Sequence, residues 1–453
     1  MTNVIYIHTH DSGRILSPYG YAVPTPNLLK FANDAVLFRQ AYCVNPTCSP
    51  SRAALLTGLY PHQNGMLGLA HRGFKLNDYN QHLVPFLGNN GYTTVLSGIQ
   101  HEAGHFTEHE YGKNTIGYQY DLSADISLFE EEEYVNWDNK NATNIAKWLK
   151  ETTLEKPLFL SYGMFATHRK YPLNIDESVN KNYIQVPGGL IDNQITRDDY
   201  AHYLTSAKSA DDCFEIVIQA LKEKGIYEES VIIFTTDHGI AMPFNKCTLS
   251  DNGIGVALMI KTPNMKSKGL VSDQLVTQLD IFPTICELLN LKPTQEFEGK
   301  SLVKVLEEPD TRIHEEVFAE INFHTSYEPA RCVRTNRYKY VQYFDSYDNI
   351  NFSNIDNSEV KDWYMQNGLT EFTKIREALY DLVFDVSEKN NLINDPSLKQ
   401  VIEDLKNRLH IFMKKTNDPL LKGPIVRQNN WKINLPECVS AGSKNTDDYE
   451  VIK

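Results

Sequence analysis

The sequence predicts an α/β fold: a large, mainly parallel sheet sandwiched by helices, followed by a smaller C-terminal α+β domain containing an antiparallel sheet. Three observations predict it. Five short apolar runs fall before residue 261, and they are continuous rather than alternating, as strands buried on both faces are. Stretches with helical spacing lie between them, the alternation that builds layered α/β sandwiches. Four of the five runs lead into Asp or His.

Val4-Ile5-Tyr6-Ile7 opens the series and leads to His8-Thr9-His10-Asp11. Pro26 to Leu37 then reads as a helix, with Leu28, Leu29, Ala32 and Val36 on one face. Thr94-Val95-Leu96 leads to His101, and Leu158 to Tyr162 leads to Thr167-His168-Arg169. Tyr200 to Leu221 carries Tyr203, Leu204, Ala207, Phe214 and Val217 at helical spacing, with Gly225 after its basic end. Val231 to Phe234 leads to Thr235-Thr236-Asp237-His238-Gly239, and Val256 to Ile260 completes the sheet. In such sheets ligands sit beyond the carboxyl ends of the strands. Four polar endings at that edge mark a site.

After about residue 312 the character changes. Val317 to Ile321 and Tyr338 to Val341 are shorter runs among loops rich in Asn, Asp and Ser, such as 345 to 357, and a last helix runs near Leu398 to Met413. The predicted division is therefore 1–312 and 313–453.

Composition excludes several classes. The 453 residues are 41% apolar and 23% charged, which is globular and neither collagen-like nor disordered. The net charge of −14 comes without a basic stripe, so no nucleic-acid partner is expected. No apolar run is long enough to span a membrane. The seven cysteines show no zinc or redox spacing. Met1-Thr2-Asn3-Val4 enters a strand directly, without a signal-peptide pattern. The expected location is therefore cytoplasmic, with free thiols.

The most informative segment is Cys48-Ser-Pro-Ser-Arg52-Ala-Ala-Leu-Leu-Thr-Gly58. Pro50 suits a helix's first turn, and Ala-Ala-Leu-Leu propagates it. Cys48 then lies at a positive helix end suited to an anion, with Arg52 one turn on. A thiol phosphatase loop needs its Arg six positions after the Cys, and here the spacing is four.

Cys-x-Pro-Ser-Arg followed by Leu-Thr-Gly resembles the signature of type I sulfatases of the alkaline phosphatase superfamily. The resemblance extends over nearly the whole chain. Thr236-Asp237-His238-Gly239, Asp280-Ile-Phe-Pro-Thr284 and Leu379-Tyr-Asp-Leu382 are further marks of it. Tyr60-Pro-His-Gln-Asn-Gly-Met66 is similar to the sulfamidase, or heparan N-sulfatase, branch.

The resemblance implies hydrolysis of a sulfate ester or sulfamate on a small sulfated saccharide, with N-sulfoglucosamine as the candidate unit. The nucleophile is formylglycine made from Cys48 by a formylglycine-generating or radical maturase, acting through a covalent sulfo-enzyme intermediate. It implies one divalent metal ion, with Asp11, Cys48, Asp237 and His238 as ligands and His10 as a fifth candidate. Family members carry calcium on oxygen ligands. Here His10 and His238 replace oxygen donors with nitrogen, which manganese or zinc accepts. Arg52 would hold the sulfate, His101 would be the base that expels it from the intermediate, and His168 and Lys246 would serve the leaving group. The Lys often found two positions before the base is Ile99 here, and Arg14 is the candidate replacement. His71, Arg72, His324, Tyr327 and Arg331 are expected at the substrate rim. Two other readings compete: a phosphonate monoester or phosphodiester hydrolase of the same superfamily, and a non-catalytic glycan-binding protein that keeps Cys48. The sequence leaves the oligomeric state open.

Overall fold

The computed structural model describes residues 2–451. The larger sheet has eight strands. Its centre is four parallel strands in the order Thr93–Gly98, Leu158–Gly163, Asn3–Thr9 and Ser230–Thr236. Leu258–Lys261 then pairs antiparallel with Ser230–Thr236, and Val36–Phe38 pairs antiparallel with Leu258–Lys261. The mainly parallel expectation holds, but the fifth apolar run enters in the opposite direction. A strand buried on both faces is continuously apolar in either direction, so composition cannot distinguish them.

Successive side chains of Asn3–Thr9 point to opposite faces. Val4 and Tyr6 join one core with Leu55, Leu56, Phe282 and Ile285. Ile5 and Ile7 join the other with Ile145, Phe214, Val217 and Leu221. Helices thus cover both faces, with Tyr134–Glu151 and Gln194–Glu223 on the second. The long helix begins six residues before its predicted start, because Asn193 caps it by accepting from Thr196 N–H. The predicted 26–37 helix stops at Ala32, and Val36–Phe38 is a strand. Asn33 ends the helix, and β-branched Val36 suits the pleated surface that follows.

The second sheet is antiparallel, in the order Glu316–Phe323, Tyr327–Thr335, Tyr338–Tyr343 and Glu377–Asp381. One face packs on Leu405, Leu409 and Phe412 of the Lys399–Lys415 helix. Val317, Ala319, Ile321 and Cys332 enter the core of the first unit. This shared core brings the loops of the second sheet over the strand ends of the first.

The parallel strands end together. His8 stands opposite both Gly163 and Thr235, and Thr9 stands opposite Thr236. A Cβ at position 163 would lie 2.6 Å from the His8 ring. Glycine there lets His8 lie across the neighbouring strand.

Candidate active site

Cys48–Thr57 forms a helix whose ten residues are all buried, with Thr47 extended before it and Gly58 left-handed after it. Its first turn is tied to the strand ends. Ser51 Oγ donates to Asp237 O at 2.6 Å, and Gln278 Nε2 donates to Thr236 O at 2.6 Å. Arg52 is 2% exposed and sends Nε and Nη2 to Asp237 Oδ2 at 3.2 and 3.0 Å. Its Nη1 lies 2.8 Å from His8 Nδ1. A guanidinium can only donate, so His8 Nδ1 accepts. Burial opposes the Arg52 charge, but Asp237 and Glu102 together, with smaller help from Tyr6 and Cys48, hold the guanidinium above its ordinary pKa. Burial pushes the Cys48 thiol well above its ordinary value. An unmodified thiol there stays protonated and is a poor nucleophile.

Asp11, Cys48, Asp237 and His238 place one ligand atom each within 4.8 Å of one another, and all four residues are buried. His10, Asp11, Cys48 and His168 form an overlapping group. Asp11 adopts φ 58°, and its N–H donates to Asp237 Oδ1 at 2.9 Å. His238 Nδ1 lies 3.0 Å from Gly239 O. A carbonyl only accepts, so Nδ1 carries the proton and Nε2 presents a lone pair. That lone pair lies 3.2 Å from Asp11 Oδ1 and 3.4 Å from Cys48 Sγ. Two acceptors facing each other without a shared proton suit a cation between them. Both ring nitrogens of His10 also lack a hydrogen bond, and His10 Nε2 lies 3.2 Å from Asp237 Oδ2. The donor set fits one divalent metal.

The remaining catalytic candidates surround this set. Lys246 Nζ lies 2.8 Å from Asp11 Oδ2 and 3.3 Å from His168 Nε2. His168 Nδ1 faces the Arg169 carbonyl, so Nε2 is the acceptor toward Lys246. Burial works against the Lys246 charge, but Asp11 and Asp356 hold its pKa well above the ordinary value. Burial, with His71 and Arg52 adding to it, drives His101 well below its ordinary value, so it is a neutral base. His101 Nε2 lies 3.0 Å from His71 Nδ1, and the two rings stack nearly parallel.

The rim candidates separate. His71 and His324 lie against the site: His71 through His101, and His324 through the field of Lys246 and Asp356. Tyr327 is held by the C-terminal segment, with Arg427 over its ring and its hydroxyl accepting from Ile425 N–H at 3.1 Å. Two arginines require correction. Arg331 is fully buried on Asp418 at 2.6 Å, so it braces the second sheet and reaches no rim. Arg72 spends its donors on Asn434 Oδ1 and the Ala441 carbonyl. Arg14 does not replace the missing lysine either, since it stacks on Tyr42 and donates to Arg39 O.

Three site residues escaped the sequence reading. His8, at the strand end beside His10, orients Arg52. Gln278 ties the Cys48–Thr57 helix to the Ser230–Thr236 strand. Asp356 lies 3.1 Å from Lys246. His8 carried the same strand-end signal as His10. Asp356 stands in a polar loop with no periodicity to distinguish it.

The sulfatase family model matches residues 2–291, more than half of the chain. The chain belongs to the sulfatase family. A second model, N-sulphoglucosamine sulphohydrolase C-terminal, matches residues 237–379. The sulfatase is 27% identical to human N-sulphoglucosamine sulphohydrolase, with 93% of this chain and 92% of that protein aligned. A solved structure of a protein in complex with its substrate D-glucosamine-2-N,6-O-disulfate superposes with TM-score 0.69 at 17% identity, covering 92% of this chain and 98% of that one. The phosphonate monoester hydrolase of Agrobacterium radiobacter gives TM-score 0.70 at 20% identity, covering 94% and 100%. At those identities the two structures speak for the fold alone. No helix among the described residues is long and apolar enough to cross a membrane, and all seven cysteines are free and buried.

Proposed function

We propose that this sulfatase hydrolyses sulfated saccharides and that its preferred unit is N-sulfoglucosamine. The observation that carries this reading is the match to the N-sulphoglucosamine sulphohydrolase C-terminal model, over a span that includes Lys246, His324 and Asp356. The human relative of that name aligns along nearly its full length. Glycosaminoglycan fragments are the matching substrate class.

Residue 48, converted from Cys48 to formylglycine by a maturase, supplies the attacking oxygen. Arg52 and Lys246 bind the sulfuryl oxygens by charge-assisted hydrogen bonds. His101, neutral and backed by His71, takes the proton from the second hydroxyl of residue 48. Lys246 Nζ donates a proton to the leaving atom, and His168 Nε2 orients that ammonium from 3.3 Å. Asp11, Asp237 and His238, with residue 48, would hold the divalent cation, which supplies positive charge beside the sulfuryl group. Calcium is the ion the family resemblance suggests. The His238 imidazole makes manganese or zinc the better chemical match.

One feature favours a second reading. The Asp237-His238 pair places nitrogen in the donor set, and the phosphonate monoester hydrolase shares the fold. The test is turnover of N-sulfoglucosamine, 6-O-sulfated glucosamine and a phenyl phosphonate, with conversion of Cys48 checked by peptide mass and calcium, manganese and zinc compared. The expected outcome is fastest release from N-sulfoglucosamine. Fastest release from the 6-O-sulfate would retain the sulfatase and discard the sulfamate reading. Fastest phosphonate turnover would establish the second reading.

A further inference from the structure

Asp356 Oδ2, a buried atom of the second unit, has the Lys246 ammonium as its charge partner and makes no other contact with a donor. Lys246 Nζ lies 3.1 Å from Asp356 Oδ2 and 2.8 Å from Asp11 Oδ2. Asp11 belongs to the donor set around residue 48, whereas Asp356 stands outside that set and touches it through the lysine. In the proposed function Lys246 Nζ protonates the leaving atom, so a carboxylate 3.1 Å from that ammonium lies beside the same atom. Burial disfavours the Asp356 charge, yet Lys246 and His168 hold its carboxyl well below the usual carboxylate range. The group is therefore ionised and acts only as an acceptor.

An acceptor beside the leaving atom discriminates between two kinds of sulfate. The bridging nitrogen of an N-sulfate carries a hydrogen and can donate. The bridging oxygen of an O-sulfate carries none, and its lone pairs face the carboxylate unfavourably. Placing two acceptors together in a buried site leaves both unsatisfied, and sites built around a hydrogen bond reject the analogue that lacks it.

We propose that Asp356 is the specificity residue of this site, accepting a hydrogen bond from the leaving nitrogen of an N-sulfated amino sugar and so selecting N-sulfate over O-sulfate. The inference rests on the N-sulfoglucosamine reading above and names the residue that enforces it. Asp356 exchanges no proton in this role; the nitrogen takes its proton from Lys246.

The test compares N-sulfoglucosamine with glucose 2-sulfate, which differ at the bridging atom, in wild type, Asp356→Asn and Asp356→Ala. The expected loss of kcat/KM on N-sulfoglucosamine is about 10- to 100-fold in Asp356→Ala, the range of one hydrogen bond to a charged group. On glucose 2-sulfate the loss should be at least about 10-fold smaller, because whatever Asp356 contributes through the Lys246 charge is lost on both substrates and only the hydrogen bond to nitrogen is lost on one. Equal losses on both would reduce Asp356 to a prop for Lys246 and overturn the inference. If the variants fail to fold, wild type decides with N-methyl-N-sulfoglucosamine, which has no N–H. A loss of similar size supports the inference, and undiminished turnover overturns it. Wild type that turns over glucose 2-sulfate but not N-sulfoglucosamine overturns the substrate reading itself.

Discussion

At the strand ends of the first sheet, Arg52, Asp237 and His238 are each tied to neighbouring groups, and the His10 ring alone of the candidate ligands there carries no hydrogen bond. Arg52 is held by Asp237 and His8, Asp237 by Arg52 and the Asp11 N–H, and His238 by a carbonyl. Across the site, the second unit offers His324 and Asp356, whose Nδ1 and Oδ2 have no hydrogen bond. The first region is braced for a fixed geometry. The second keeps polar capacity free for a ligand. Reaction chemistry needs preorganised charges, whereas recognition needs groups that a substrate can satisfy. In the proposed function the two sheets divide those tasks.

Three experiments would break or sharpen that contrast. The largest effect belongs to Cys48→Ala. Sulfate release should fall by about 10⁵-fold or more, as loss of a nucleophile does, while the urea midpoint barely moves. Retained turnover would mean that the braced region is not where the nucleophile lies.

A smaller effect separates bracing from recognition within the second unit. Arg331→Ala leaves Asp418 buried without its cation, while Glu320 keeps its contact with His62. Stability should fall by about 3–5 kcal/mol, read from denaturant unfolding, with kcat per folded molecule within about 3-fold of wild type. A normal stability with a raised KM would return Arg331 to the substrate rim.

The smallest effect is on pH. His82 is wholly buried, and burial holds its pKa down to about 3. A folded pKa below the unfolded value near 6.5 means that the unfolded chain binds more protons as pH falls through that range. Stability is therefore full above about pH 6.5 and declines below it, by up to about 1.4 kcal/mol per pH unit for this one histidine. Denaturant midpoints of wild type and His82→Asn at pH 7 and pH 5 test the sign. The variant should lose less on acidification, and an equal loss would remove His82 as the source.

The residues that the structure gathers at the strand ends were legible because their signals are local. An apolar run ending in Asp or His, and the Cys48-Ser-Pro-Ser-Arg52 helix start, each occupy a few consecutive positions. Val256 to Ile260 was readable as a strand but not in its direction, since full burial erases the alternation that sets it apart. The second unit was harder. Arg331 and Arg72 look like anion ligands in a sequence, and only their packing shows that Asp418 and Asn434 have taken them. Asp356 sits among Asn and Ser residues with no period, and its meaning comes entirely from a lysine 110 positions away.

If Cys48 is converted as proposed above, the burial of the whole Cys48–Thr57 helix sets an order of events in the life of the chain. Cys48 is 2% exposed, and its neighbours Ser49, Pro50 and Ser51 are no more accessible. An enzyme that must grip the Cys-x-Pro-Ser-Arg segment to oxidise the thiol cannot do so once the first sheet has closed around it. Conversion therefore has to compete with folding, during or just after synthesis. The fraction of active molecules becomes a kinetic quantity, fixed before the protein is finished and not repaired afterwards. Slowing translation or folding should raise that fraction, and adding maturase to the folded protein should not.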